Sequence, residues 1–113
     1  MKRDLKLFLE DIIEQIELIE GDSISSKDRF LRDLRLRDAT VRRIEIIGEA
    51  VKNISSSFRK KYPEVEWKEI AGTKDIMIHA YFRVDIDIVW KIVKEDLPKL
   101  KKQINEILEK ENF

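Results

Sequence analysis

The sequence predicts an all-α bundle of amphipathic helices, and three observations carry that expectation. Charged residues make up 41% and hydrophobic residues 42% of the 113, with only 3 Gly and 2 Pro, a balance that suits long two-faced helices rather than a turn-rich sheet. Apolar residues recur at intervals of three and four along most of the chain. Strand-like alternation never extends beyond a few residues, and there is no internal repeat, low-complexity tract or Gly-rich phosphate loop. At this length the whole chain, 1–113, reads as one domain with a single core.

The elements follow from the spacing. Leu5, Phe8, Leu9, Ile12, Ile13, Ile16 and Ile19 fall on one stripe of a first helix that Gly21 can end. Ser25 and Ser26 can cap a short second helix carrying Phe30, Leu31 and Leu34, because a serine oxygen satisfies an orphan amide of the first turn. Val41, Ile44, Ile47, Val51, Ile54 and Phe58 predict one helix from about Leu36 to Lys61, the longest of the chain, stopped at Tyr62-Pro63. After Pro63-Glu64-Val65 a fourth segment starts near Trp67 and runs toward Tyr81. Asp85 is placed to cap a last helix with Ile86, Val89, Trp90, Val93, Leu97, Leu100, Ile104 and Ile107 as its seam, and Pro98 should kink or divide it.

Composition also excludes function classes. A net charge of +0 argues against a general electrostatic grip on nucleic acid, although it leaves room for a local basic patch. Without cysteine there can be no disulfide, thiolate metal site or thiol redox chemistry. The opening MKRDLKLFLEDIIEQ has neither the apolar core of a signal peptide nor a membrane-spanning run, so no membrane partner and a cytoplasmic location are expected.

The chemistry concentrates in TKDIMIHAYFRVD, Thr73 to Asp85, which holds the chain's one histidine. On an ideal helix, at about 100° per residue, Trp67, Ile70, Ala71, Lys74 and Ile78 share a face and Asp75 and His79 share an adjacent one. A carboxylate four residues from an imidazole can fix its tautomer and favour its protonated form. Lys74 and His79 stand about 140° apart on such a helix, so they meet only through the reach of the lysine chain or an irregular end. Ile76 points elsewhere again, which suggests a second buried surface and hence a homodimer. On these residues alone a plainer reading stays open: His79 hydrogen-bonded in a tight corner, Lys74 extended to water, Tyr81 packed with Phe82. A single His without clustered ligands argues against a metal site, and no serine sits in a nucleophile elbow. Glu49 either faces a cleft or is a solvated helix residue, and Arg42 and Arg43 either bind phosphate or form a solvated face.

From about Arg42 onward the chain resembles the HepT-like proteins of the HEPN superfamily, through "EIIGEA" on the long helix, "IAG" leading into "HAYF", and "VDIDIVWKIVKEDLP" opening the last helix. The resemblance implies an HEPN-type four-helix up-down bundle with an additional short helix, homodimeric. It implies a metal-independent endoribonuclease toxin, without cofactor, acting on an RNA substrate and neutralised by a minimal nucleotidyltransferase antitoxin. The family motif, Arg, four residues, His, one residue, Tyr, aligns with Lys74, His79 and Tyr81. By that resemblance His79 is the acid-base group for attack of a ribose 2'-hydroxyl on the adjacent phosphate, and Lys74 is the cation that stabilises the developing charge. Asp75 supports the imidazole, and Tyr81 is the hydroxyl that the partner adenylylates. Lys74 departs from the family's usual Arg: it keeps the charge but lacks the planar fork that holds two phosphate oxygens. The alternative the resemblance leaves is a non-catalytic substrate-binding or regulatory subunit of the nucleotidyltransferase.

Overall fold

A computed structural model of the chain describes residues 2–22, 27–73, 78–79 and 83–113. Its fold is an all-α bundle. The first helix, α1, covers Lys2–Gly21, and the final helix, which we label α7, covers Leu97–Glu111. Leu9, Ile12, Ile16 and Ile19 of α1 and Leu97, Leu100, Ile104 and Ile107 of α7 are all buried. Both stripes step by three, four and three residues, the spacing that keeps one helix edge against a neighbour. Lys101, near the start of α7, reaches Glu20 at 2.8 Å and Glu17 at 3.9 Å near the end of α1, so the two helices run antiparallel. The hydrogen bond to Glu20 raises the Lys101 pKa. Such exposed pairs contribute little beside the stripe, where each buried Leu or Ile stabilises by about 1.5–3 kcal/mol.

Between these helices lie α2 (Lys27–Arg32), α3 (Leu34–Lys52), α4 (Ser56–Lys61), α5 (Trp67–Ala71) and α6 (Ile86–Lys91). Phe30 of α2 is fully buried and tilts against Trp90 of α6 with ring centroids 5.9 Å apart. Leu34, expected on the second helix, belongs to α3 instead, because the Asp33 carboxylate accepts from the Leu36 amide and starts a new helix there. Against α1 pack Ile44, Ile47 and Val51 of α3.

Three predicted helices are divided. The stretch from Leu36 to Lys61 is broken at Asn53-Ile54-Ser55. The Asn53 amide closes α3 on Glu49 and Ala50, and its side chain donates to the Glu49 carbonyl at 2.9 Å. Ser55 is extended and its hydroxyl accepts from Phe58 N, capping α4. Arg59 Nε closes the corner on the Ile54 carbonyl at 2.9 Å. The break leaves α1, at 20 residues, longer than α3 at 19. The last helix begins, as expected, with the Asp85 carboxylate accepting from Asp87 N and Ile88 N. It then widens into a π turn over Ile92–Asp96, where Leu97 N bonds Ile92 O. Pro98 supplies the cause, since it has no amide for the carbonyl four residues back and its ring crowds that carbonyl. The fourth segment opens with the helix Trp67–Ala71 and turns at Gly72, and His79 lies in a two-residue strand.

Among the described residues no helix is long and apolar enough to cross a membrane. At the far end of the bundle the buried Tyr62 stacks obliquely on Phe58, its hydroxyl donating to Glu111. Burial first, then the carboxylate, pushes the Tyr62 phenol up to about 12. A raised phenol stabilises the fold fully below the ordinary tyrosine pKa of about 10, and that contribution is lost as pH rises through the folded value. Tyr62→Phe should therefore lower stability by about 1.5–3 kcal/mol at neutral pH, the worth of a hydrogen bond to a charged acceptor. Denaturant titrations of both proteins should show that difference shrinking between pH 10 and about 12; a pH-independent gap would mean the phenol does not ionise differently on unfolding.

Candidate active site

The stretch that holds His79 is anchored at both ends. On the incoming side, Trp67 is buried and its indole N–H donates to the Tyr62 carbonyl at 2.9 Å, which orients α5. Gly72 N closes that helix on Lys68 O at 3.0 Å, and the buried Thr73 hydroxyl donates to Glu69 O at 3.0 Å. The short helix lies on α3 at Gly48. A β-carbon placed there would be 3.3 Å from the Ile70 carbonyl oxygen, close enough that the backbone must yield by a few tenths of an ångström, and in ordinary contact with that of Ala71 at 3.6 Å. This accounts for the glycine in the "EIIGEA" block.

On the outgoing side a strand, β2 (Arg83–Val84), leads directly into the Asp85 cap of α6. It pairs antiparallel with β1 (Ile78–His79), with Ile78 opposite Val84 and His79 opposite Arg83. The expected helical faces therefore do not apply to His79. In a strand, neighbours alternate sides, and the four-residue spacing from Asp75 loses its meaning at that end. The β-branched pair Ile78 and Val84 is the local reason for the strand at that end. Lys74, Asp75 and Tyr81, together with Ile76, lie outside the described residues. The register brings forward a residue that spacing along the chain did not single out: Arg83, whose Cα stands directly across from that of His79, about 4.5–5.5 Å away in such a pair. The period-two step between Ile78 and Val84 was its only sequence signal.

Beside this stretch a cleft of about 370 Å³ opens between α3, α5 and α6, with Ile44, Ile47, Ile70, Ile88 and Ile92 along its walls and Thr73 at its end. Glu49 is exposed and pairs with Lys52 at 3.6 Å, at the edge of a separate shallow depression that includes Ala71. The two arginines considered for phosphate binding separate into different roles. Arg43 donates to Asp22 and to the Leu18 carbonyl and ties α3 to α1, whereas Arg42 is exposed and faces Glu45 at 3.8 Å. Among the described residues, no three His, Asp or Glu side chains are grouped to hold a metal ion.

Comparison with known proteins agrees with this architecture. The profile of the family described as Ribonuclease HepT-like matches residues 9–107, nearly the whole bundle and all of the His79 stretch. The chain is 52% identical over 103 residues to a probable ribonuclease HepT of Thermococcus cleftensis, covering 89% of this chain and 93% of that protein. It is 46% identical over 104 residues to a candidate RNase of Methanocaldococcus jannaschii, covering 91% and 95%. A third relative, from the same M. jannaschii, is named as both a gamma-glutamylcyclotransferase and a candidate RNase; there the identity is 48% over 110 residues, and the chain spans 96% of itself but only half of that longer protein. No solved structure matches. The chain belongs to the HepT-like ribonuclease family.

The contact at Gly48 makes a direct test of how the site is held. Gly48→Val should overpack the α3–α5 contact, costing about 1–3 kcal/mol, and should change the near-ultraviolet circular dichroism of the buried Trp67. Unchanged stability and an unchanged tryptophan signal would show that α5 is not held at this point.

Proposed function

We propose that the chain is a metal-independent endoribonuclease, the toxin of a two-gene system, working in the cytoplasm as a homodimer with Lys74, His79 and Tyr81 at a shared cleft. The observation that carries this reading is the family match, which runs through the motif from Lys74 to Tyr81. In this reaction His79 takes the proton from a ribose 2'-hydroxyl as that oxygen attacks the adjacent phosphorus. The bond to the 5'-oxygen of the next nucleotide breaks, that oxygen takes up the proton from the His79 imidazolium, and the products are a 2',3'-cyclic phosphate and a free 5'-hydroxyl. Lys74 offsets the extra negative charge on the phosphorane oxygens, and Asp75 orients the imidazole. Two facts support the assignment of the proton transfer: His79 is the one side chain with an ordinary pKa near neutrality, and there is no cysteine to act as a nucleophile. The cleft beside the motif supports the dimer, since a second copy laid over it would cover the half-buried Ile70 and Ile88.

Restraint comes from a nucleotidyltransferase partner that transfers AMP from ATP to the Tyr81 hydroxyl, releasing pyrophosphate. Negative charge and bulk beside the site then repel the RNA backbone. The chain has two tyrosines, and the burial of Tyr62 and its bond to Glu111 support the assignment of this role to Tyr81. One observation favours a second reading, a non-catalytic binding subunit of the same partner: Lys74 lacks the fork that an arginine would present to phosphate.

Incubated with RNA in EDTA, the unmodified dimer should leave 2',3'-cyclic phosphate ends, and His79→Ala should reduce the rate roughly 100- to 10,000-fold, the usual worth of a positioned acid-base group. Lys74→Arg should raise activity and Lys74→Ala lower it. If wild type and Lys74→Arg both leave structured and unstructured RNAs uncut, or if sedimentation at the assay concentration shows only monomer, the nuclease reading in this form fails. With the partner enzyme, ATP and magnesium, intact mass should rise by whole AMP units in wild type and stay constant in Tyr81→Phe; labelling that persists in the variant would place the acceptor elsewhere.

A further inference from the structure

The chain's zero net charge conceals a strong segregation of arginine. Six of its nine arginines, Arg29, Arg32, Arg35, Arg37, Arg42 and Arg43, fall within 15 residues, a stretch without a single lysine, although lysine outnumbers arginine in the chain as a whole. From Lys27 to Arg43 there are seven cations against three carboxylates. Two of these arginines are placed elsewhere: Arg43 is held by α1, and Arg42 lies beside Glu45. Arg29, Arg32 and Arg35 converge instead, around an open depression at the α2–α3 corner that also contains Asp33 and Leu34. The Asp33 carboxylate there is occupied by the Leu36 amide. Arg32 faces Asp28 at 3.3 Å, but both side chains are about four-fifths exposed, so the pair is weak and easily exchanged for another anion.

The position of α2 connects this surface to the candidate site. Lys27, at its first residue, forms an ion pair with Asp87, and Phe30 packs on Trp90. Asp87 is two residues past the Asp85 cap and three past β2, the strand whose partner holds His79. Cations thus run from the α6 end of the strand pair, at Lys27, along α2 to Arg32 and across the corner to Arg35, over a helix about 9 Å long. Among the described residues no aromatic side chain lines the depression, so the arrangement suits a sugar-phosphate backbone rather than stacked bases. Arginine rather than lysine fits that role, because its planar fork holds two phosphate oxygens at once.

We infer that the α2–α3 corner, through Arg29, Arg32 and Arg35, is a phosphate-tracking surface that grips single-stranded RNA beyond the cleavage point and delivers it to the His79 strand. This rests on the ribonuclease reading above for the fate of the RNA, but the binding itself does not require cleavage. The surface explains how a protein without net positive charge engages a polyanion. It sets the substrate class as RNA long enough to cross α2, with no base preference at the corner.

The test uses full-length protein and a fluorescent single-stranded RNA carrying 2'-O-methyl groups, which removes the attacking hydroxyl and keeps the probe intact. Arg32→Gln/Arg35→Gln should weaken binding about tenfold or more, and should reduce the slope of log affinity against log salt by about 1.4, two phosphate contacts at roughly 0.7 each. Arg32→Lys/Arg35→Lys should keep the wild-type slope and recover only part of the affinity. Cleavage of a dinucleotide, too short to reach the corner, should be the same in all three proteins. Wild-type binding that depends on these arginines, in a protein that cuts no RNA, would sustain the surface and sink the nuclease reading. The inference is overturned if wild type does not bind the probe, or if the glutamine variant, folded by circular dichroism, matches wild type in affinity and slope. It is equally overturned if that variant keeps its RNA affinity but loses the nucleotidyltransferase, an outcome that the exposed Leu31 and Leu34 would then explain as a protein interface.

Discussion

The arrangement of the site depends on one backbone contact. The short helix α5 lies on α3 at Gly48, where a β-carbon would stand 3.3 Å from the Ile70 carbonyl oxygen, tighter than most such contacts, and 3.6 Å from that of Ala71, an ordinary contact. That contact places Gly72 and Thr73, and with them the start of the stretch that carries His79. Its other end is set by Asp85, whose carboxylate caps α6 with two amides. The chemistry-bearing segment is therefore suspended between two points of the bundle, each defined by short-range geometry. Neither contact involves a charged group that the proposed reaction would use, so the scaffold and the chemistry are separable.

The second organising feature is the division of labour among charges. Ion pairs on the outer faces, such as Lys101 with Glu17 and Glu20, decorate helix contacts that buried isoleucines and leucines already determine. Arg43 is different: it crosses from α3 to α1 and satisfies a carbonyl as well as a carboxylate. Arg29, Arg32 and Arg35 face the open depression at the α2–α3 corner. Arginines close together in sequence have thus acquired unlike roles, decided by which helix face each falls on and what stands opposite.

Local chemistry also sets where helices stop. At Asn53 and Ser55 two side chains bond backbone groups that a continuous helix would have used, and the predicted long helix becomes α3 and α4. At Pro98 the missing amide is absorbed one turn earlier by a π turn, which keeps Val89, Ile92 and Leu97 buried although the register shifts. Tyr62 and Trp67 then join α4 to α5, the indole donating to the tyrosine carbonyl and the phenol reaching Glu111 of α7.

Much of the bundle was legible in the sequence itself. The buried stripes of α1 and α7, the Asp85 cap and the disturbance at Pro98 all follow from spacing and residue type, because each depends on groups within a few residues of one another. What the tertiary structure alone decided depends on groups distant along the chain. The close approach at Gly48 involves a helix more than twenty residues away. The register that sets Arg83 opposite His79 arises from strand pairing, which a helical projection of the same residues hides. Whether an arginine is a structural tie like Arg43, or one of a converging set like Arg32 and Arg35, is settled by what lies across from it in space. Short-range periodicity determined where the chain is helical over α1, α3 and α7 and which side of each is apolar. The placement of charge and backbone around the site was decided only when those elements packed, since electrostatic and steric contacts act through distance in space rather than separation in sequence.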